Sequence, residues 1–149
     1  MKVKRVEHIA IAVDSLERSE ALWRDAFGLE VEYEEKIGGT SLAMLPVGES
    51  YLELLEGEGP QNEVREWIRD KGTGFFHICF EVEDIDEALA ELKAKGIRLR
   101  DETPRIGHAG ARIAFLDPAE TGNVLIELAE LPRAPQQDAE KPLSFRDGP

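Results

Sequence analysis

Two histidines and two glutamates recur at matched places in this chain. His8 opens the run HIAIAV and His77 opens HICFEV, while Glu53 sits in YLELLE and Glu127 in LIELAE. The histidines stand 69 positions apart and the glutamates 74, so a stretch carrying one of each is written twice, with about five extra residues in the loops of the second copy. A single strand histidine ordinarily serves a structural hydrogen bond, and a single L-E-L triplet ordinarily exposes its carboxylate. Duplication changes that balance. Two neutral imidazole nitrogens and two carboxylate oxygens related by a pseudo-two-fold suit a borderline divalent cation such as Zn²⁺, Ni²⁺, Co²⁺ or Mn²⁺, with positions left over for water or substrate.

The elements that must carry these residues repeat as well. In strand alternation His8 shares a face with Ala10 and Ala12, opposite Ile9, Ile11 and Val13, and His77 shares one with Cys79 and Glu81. Glu53 lies between Leu52 and Leu54, and Glu127 between Ile126 and Leu128, so each carboxylate occupies mid-strand on the face away from its branched neighbours. A charge there is costly unless that face meets water or a cation. After each histidine strand comes a helix signal: Asp14 with Glu17, an apolar stripe of Leu16, Leu22, Trp23, Ala26 and Phe27, and Gly28 as the stop; then Asp84 with Glu87, a stripe of Ile85, Ala88, Leu89 and Leu92, and Gly96 as the stop. Three extended segments follow each helix: LEVEYEE, TSLAMLPV and SYLELLE, then IRLRDE, ARIAFLD and NVLIELAE.

Each half therefore reads βαβββ, with modules at about 3–56 and 74–131. The linker, 57–73, carries a short helix through Val64, Trp67 and Ile68. One such unit covers only one face of its sheet, so the two copies are expected to share the other in a single curved mixed sheet of the α+β class, one domain over residues 1–131. The polar, proline-rich tail 132–149 lacks periodicity, and Leu143 and Phe145 are its only anchors.

Bulk composition narrows the function. A net charge of −13 argues against nucleic acid, whose binding needs a basic surface to displace counterions. No apolar run is long enough to span a bilayer, and the first strand starts too early for a secretory leader, which points to a cytoplasmic protein without a membrane partner. Lys93, Lys95, Arg98, Arg100, Arg105 and Arg112 crowd one stretch, read here as solvation of a helix end and a loop. His108, in GHAG, reads as a solvated loop histidine, and the lone Cys79 as core packing.

The paired H-I-x-x-x-V and x-E-L strands resemble the vicinal-oxygen-chelate superfamily over about residues 3–131. That superfamily includes glyoxalase I, ring-cleaving dioxygenases, fosfomycin-resistance proteins and methylmalonyl-CoA epimerases. Residues 104–128, PRIGHAGARIAFLDPAETGNVLIEL, resemble the epimerase branch, with R-I-G-H-A-G in place of its K-I-G-x-x-G loop and the same longer proline-to-glutamate connection; the glyoxalase turn is tighter. Three positions depart from common epimerase patterns. Asp117 and Phe76 stand where histidines are usual, and Leu42 stands where some epimerases carry a glutamate proposed as a base.

The resemblance implies an isomerase that inverts the α-carbon of methylmalonyl-CoA through an enolate. It further implies one divalent ion, Co²⁺ foremost, on His8, Glu53, His77 and Glu127, an acyl-CoA substrate, and a homodimer. With Leu42 in place of the glutamate, Glu53 and Glu127 become the candidates for catalytic acid and base. A glyoxalase-type lyase acting on a glutathione hemithioacetal would use the same four ligands, whereas an Fe²⁺ dioxygenase would use two histidines and one glutamate and leave Glu53 over.

Overall fold

The computed structural model describes residues 1–133; Leu143 and Phe145 lie outside the described residues. The first module runs β1 (Val3–Ala12), α1 (Leu16–Phe27), β2 (Tyr33–Ile37), β3 (Thr40–Val47) and β4 (Ser50–Gly57). After α2 (Glu63–Lys71) the second runs β5 (Gly74–Val82), α3 (Ile85–Ala94), β6 (Arg105–Ile106), β7 (Arg112–Phe115) and β8 (Ile126–Glu130). All eight strands form one curled sheet in the order β2-β3-β4-β1-β5-β8-β7-β6.

The pseudo-two-fold passes between β1 and β5, which pair antiparallel. Each histidine strand then pairs parallel with its own glutamate strand, Ala10 opposite Glu53 and Cys79 opposite Glu127. Ala10 and Cys79 each lie two residues beyond a histidine, so the register sets all four polar side chains beside the axis on one face. That face is lined by Leu42, Met44, Leu55, Phe76, Ile113 and Phe115, with α2 packing Val64 and Trp67 against it. On the other face, α3 covers Val82, Ala114, Leu116 and Leu128. There α1 covers Ala43, Leu45 and Leu54.

Three local expectations are corrected. The strand expected at IRLRDE is reduced to an isolated bridge at Leu99, with the regular pairing displaced to Arg105–Ile106, because Asp101 turns inward to accept from the Phe115 backbone N–H at 2.8 Å. Ser15 rather than Asp14 caps α1, accepting from the Arg18 N–H, while Asp84 caps α3 as expected. The apolar stripe of α1 is only partly used: Leu16 and Trp23 pack inward, but Leu22 is 56% and Phe27 64% exposed.

Candidate metal centre

Each histidine is delivered by an irregularity that strict alternation does not anticipate. On β1 the pairing skips from Val6 to His8, leaving Glu7 as the extra residue; on β5 it skips from Phe75 to His77, leaving Phe76. A bulge re-aims side chains, and here it turns the residue before each histidine into the interior beside it. Glu7 and Phe76 are therefore equivalents in the two modules, and both are buried.

Four donors converge where the modules meet. His8 Nε2 and His77 Nε2 are 3.1 Å apart. Glu127 Oε1 lies 3.1 Å from the first and 2.9 Å from the second. Glu53 Oε1 lies 3.2 and 3.7 Å from the same two atoms. All four side chains are buried. Donors ~2.1 Å from one centre sit ~3.0 Å apart when cis in an octahedron and ~3.4 Å apart in a tetrahedron. His8, His77 and Glu127, whose ligand atoms all lie within 4.8 Å of one another, therefore have the spacing for one cation, with Glu53 beside both imidazoles. Hydrogen bonding alone leaves this cluster incomplete. Glu127 Oε1 is buried and makes no well-formed hydrogen bond; it is held only by ion pairing to the two imidazoles, at 3.1 and 2.9 Å.

Electrostatics point the same way. Burial opposes charge on His8, but the Glu53 carboxylate beside it pushes its pKa well above the ordinary histidine range. Burial likewise opposes charge on both carboxylates, yet His8 and His77 hold Glu53 and Glu127 below the usual range. The His8 proton thus occupies the centre of a site that could otherwise hold a metal, which must displace it. Glu7, His8 and Cys79 form a second convergent group. Burial pushes the Cys79 thiol up, however, and a thiol is not a metal ligand.

Glu7 is the residue that sequence reasoning missed. Its carboxylate accepts from His8 Nδ1 on one side and, at 3.1 Å, from His108 Nε2 on the other. Burial would raise its pKa, but the hydrogen bonds from His108 and His8 outweigh this and hold it far below the carboxylate range. Apolar residues change parity between Val6 and the Ile9, Ile11 pair, which was the legible sign of a bulge. His108 corrects another expectation. It is 3% exposed rather than solvated, because the backbone around Ala109 (φ 52°) turns the loop over β1 and Ala109 N–H donates to Glu35 at 2.8 Å.

A cleft of about 560 Å³ opens above the cluster. Glu53, His77 and Glu127 form its floor, Leu42, Leu55, Phe76, Ile113 and Phe115 its apolar walls, and Arg105 and His108 also line it. Leu42 faces the cleft as a hydrocarbon. Most of the basic stretch does solvate the surface, in exposed pairs such as Lys93–Glu102, Lys95–Glu91, Arg98–Glu120 and Arg112–Asp86. Arg105, also exposed and paired with Asp101 at 3.4 Å, is the member of the stretch that lines the cleft, where it lies over the Phe115 ring 5.5 Å from its centroid, as Arg100 does at 5.8 Å.

With this geometry, the chain belongs to the glyoxalase/bleomycin resistance protein/dioxygenase superfamily, whose family model matches residues 7–115. Within it the chain is similar to epimerases. It is 34% identical over 129 residues to the mitochondrial methylmalonyl-CoA epimerase of Homo sapiens, covering 85% of this chain and 73% of that one. It is 33% identical over 133 residues to the ethylmalonyl-CoA/methylmalonyl-CoA epimerase of Cereibacter sphaeroides, covering 87% and 99%. A methylmalonyl-CoA epimerase solved in complex with methylmalonyl-CoA and NH₄⁺ superposes with a TM-score of 0.82 at 34% identity, over 87% of this chain and 96% of that one.

Proposed function

We propose that this chain is a metal-dependent epimerase that inverts the α-carbon of methylmalonyl-CoA. The observation that carries the reading is the convergence of His8, Glu53, His77 and Glu127, the last three on the floor of a cleft with both apolar and polar walls, in a chain so similar to epimerases of that substrate. These four residues would hold one divalent ion, with Co²⁺ the first choice and Zn²⁺, Ni²⁺ or Mn²⁺ able to replace it. When bound, the ion polarises the thioester and carboxylate oxygens of the substrate and so acidifies the α-proton.

The chain supplies the rest. Inversion needs one group to remove the proton on one side of the carbon and another to return it on the other. Glu53 and Glu127 come from opposite modules, and each has a second carboxylate oxygen with which to act as acid or base. Leu42, Phe76 and Phe115 keep water from the carbanionic carbon, and Arg105 offers a cation to the anionic groups of an acyl-CoA. Among the described residues no helix is long and apolar enough to cross a membrane. Exposed Ile9 and Phe75 on the central strands, with Leu22 and Phe27 on α1, suit a second copy of the chain. Sedimentation giving a dimer at micromolar concentration supports this assembly, and a monomer removes it.

The decisive assay follows the α-proton of methylmalonyl-CoA in D₂O by NMR, with metal-stripped and Co²⁺-reconstituted protein. Exchange that depends on Co²⁺ is expected. Stoichiometric Co²⁺ binding without exchange would overturn the epimerase reading in favour of glyoxalase or dioxygenase chemistry on the same floor.

A further inference from the structure

The two histidines at the centre are supported differently on their far sides. His77 Nδ1 is buried without a hydrogen-bonding partner, and its ring is held by packing, 4.8 Å from Phe76 and 5.1 Å from Phe115 between centroids. His8 is wholly buried, and its Nδ1 faces Glu7 Oε1. That same oxygen receives His108 Nε2 at 3.1 Å, and Arg5 Nη2 stands 4.0 Å from the other one. Both rings around Glu7 are edge-on to one another, with centroids 4.9 Å apart.

We propose that Glu7 is a positioning residue for the metal centre, with His108 as its clamp: the carboxylate fixes the proton of His8 on Nδ1, and so presents the Nε2 lone pair to the cation. A neutral imidazole carries one proton, and whichever nitrogen holds it cannot ligate. His8 must ligate through Nε2, the atom that meets His77, Glu53 and Glu127. An acceptor at Nδ1 is therefore what keeps the ligating nitrogen bare, and a carboxylate there also raises the basicity of the ring. His108 serves Glu7 rather than the cation, since its Nε2 is committed to the shared oxygen. The bulge that places Glu7 inward is the backbone device behind this arrangement.

This inference rests on the proposed metal site, and its test separates the two. Co²⁺ is titrated calorimetrically into the metal-free full chain and into Glu7→Leu, Glu7→Gln and His108→Phe, and the visible spectrum of each Co²⁺ form is recorded. The expected result is weakening of about 10–100-fold for Glu7→Leu with a shifted spectrum, partial recovery in Glu7→Gln, which keeps an acceptor oxygen, and a smaller loss in His108→Phe. Wild-type binding with unchanged affinity and spectrum in Glu7→Leu overturns the role of Glu7 and leaves the metal site standing. No Co²⁺ binding by the wild type overturns both. Should Glu7→Leu fail to fold, ¹⁵N-edited NMR of the Zn²⁺-loaded wild type decides: a His8 Nδ1–H signal shifted downfield of the His77 one and slower to exchange with solvent supports a strong bond to Glu7, and one that matches His77 in shift and exchange overturns it.

Discussion

The two modules reach the same centre by different means. In the first, the bulged residue before the ligand candidate is Glu7, and His8 is held through hydrogen bonds; in the second it is Phe76, and His77 is held between rings. The helices differ in the same sense. α3 buries Ile85, Ala88 and Leu89, whereas α1 buries none of its residues fully. The second module thus supports the site by packing and the first by polar contacts, and substitutions should affect folding in one half and metal binding or chemistry in the other.

The largest effect is expected where both halves are equivalent. Glu53→Gln and Glu127→Gln should each slow epimerisation by about 10²–10⁴-fold with the cation still bound, and in D₂O each should suppress exchange for one stereoisomer more than for the other. Equal turnover of wild type and Glu53→Gln would exclude Glu53 as acid or base. Next comes Phe76→Ala. Phe76 is 4% exposed and packs on Trp67, with centroids 5.0 Å apart, so its loss should cost about 3–5 kcal/mol in denaturant unfolding. A cost below about 1 kcal/mol would contradict the packing-held half.

A smaller effect concerns pH. In the metal-free fold the pKa of His8 is raised above 6.5, so its contribution to stability is full below that value and fades as pH rises through the folded-state pKa. Those of Glu53 and Glu127 are lowered from 4.5, so their contributions are present above it and fade only in acid. Stability without metal should therefore fall as pH rises above about 6.5, the direction in which neutral imidazole becomes available, and the rise in Tm given by Co²⁺ should grow with it. A Co²⁺-dependent rise that shrinks with pH in thermal scans would contradict the site. The smallest effect separates the helices. Asp84→Ala should cost about 1 kcal/mol of global stability, whereas Ser15→Ala should mainly quicken hydrogen exchange along α1.

Periodicity and repetition made the architecture legible: the alternation around His8 and His77, the glycine stops at Gly28 and Gly96, and the duplicated L-E-L strands together define the two modules and their shared sheet. The convergence of the four polar residues followed from that symmetry. Glu7 and His108 did not, for a physical reason. Alternation assumes an unbroken ladder, and a bulge reverses the face of the residue before it; a loop histidine is brought inward only by a backbone turn, here at Ala109, that no side-chain pattern records. The displaced β6 belongs to the same class, since Asp101 takes a backbone partner that a strand would otherwise supply.

Location of the cation tests the account most directly. Crystals of the chain loaded with Co²⁺, measured on both sides of the cobalt edge, should give one anomalous peak per chain between His8 Nε2, His77 Nε2 and the carboxylates of Glu53 and Glu127. A peak elsewhere, or none at stoichiometric Co²⁺, would contradict it.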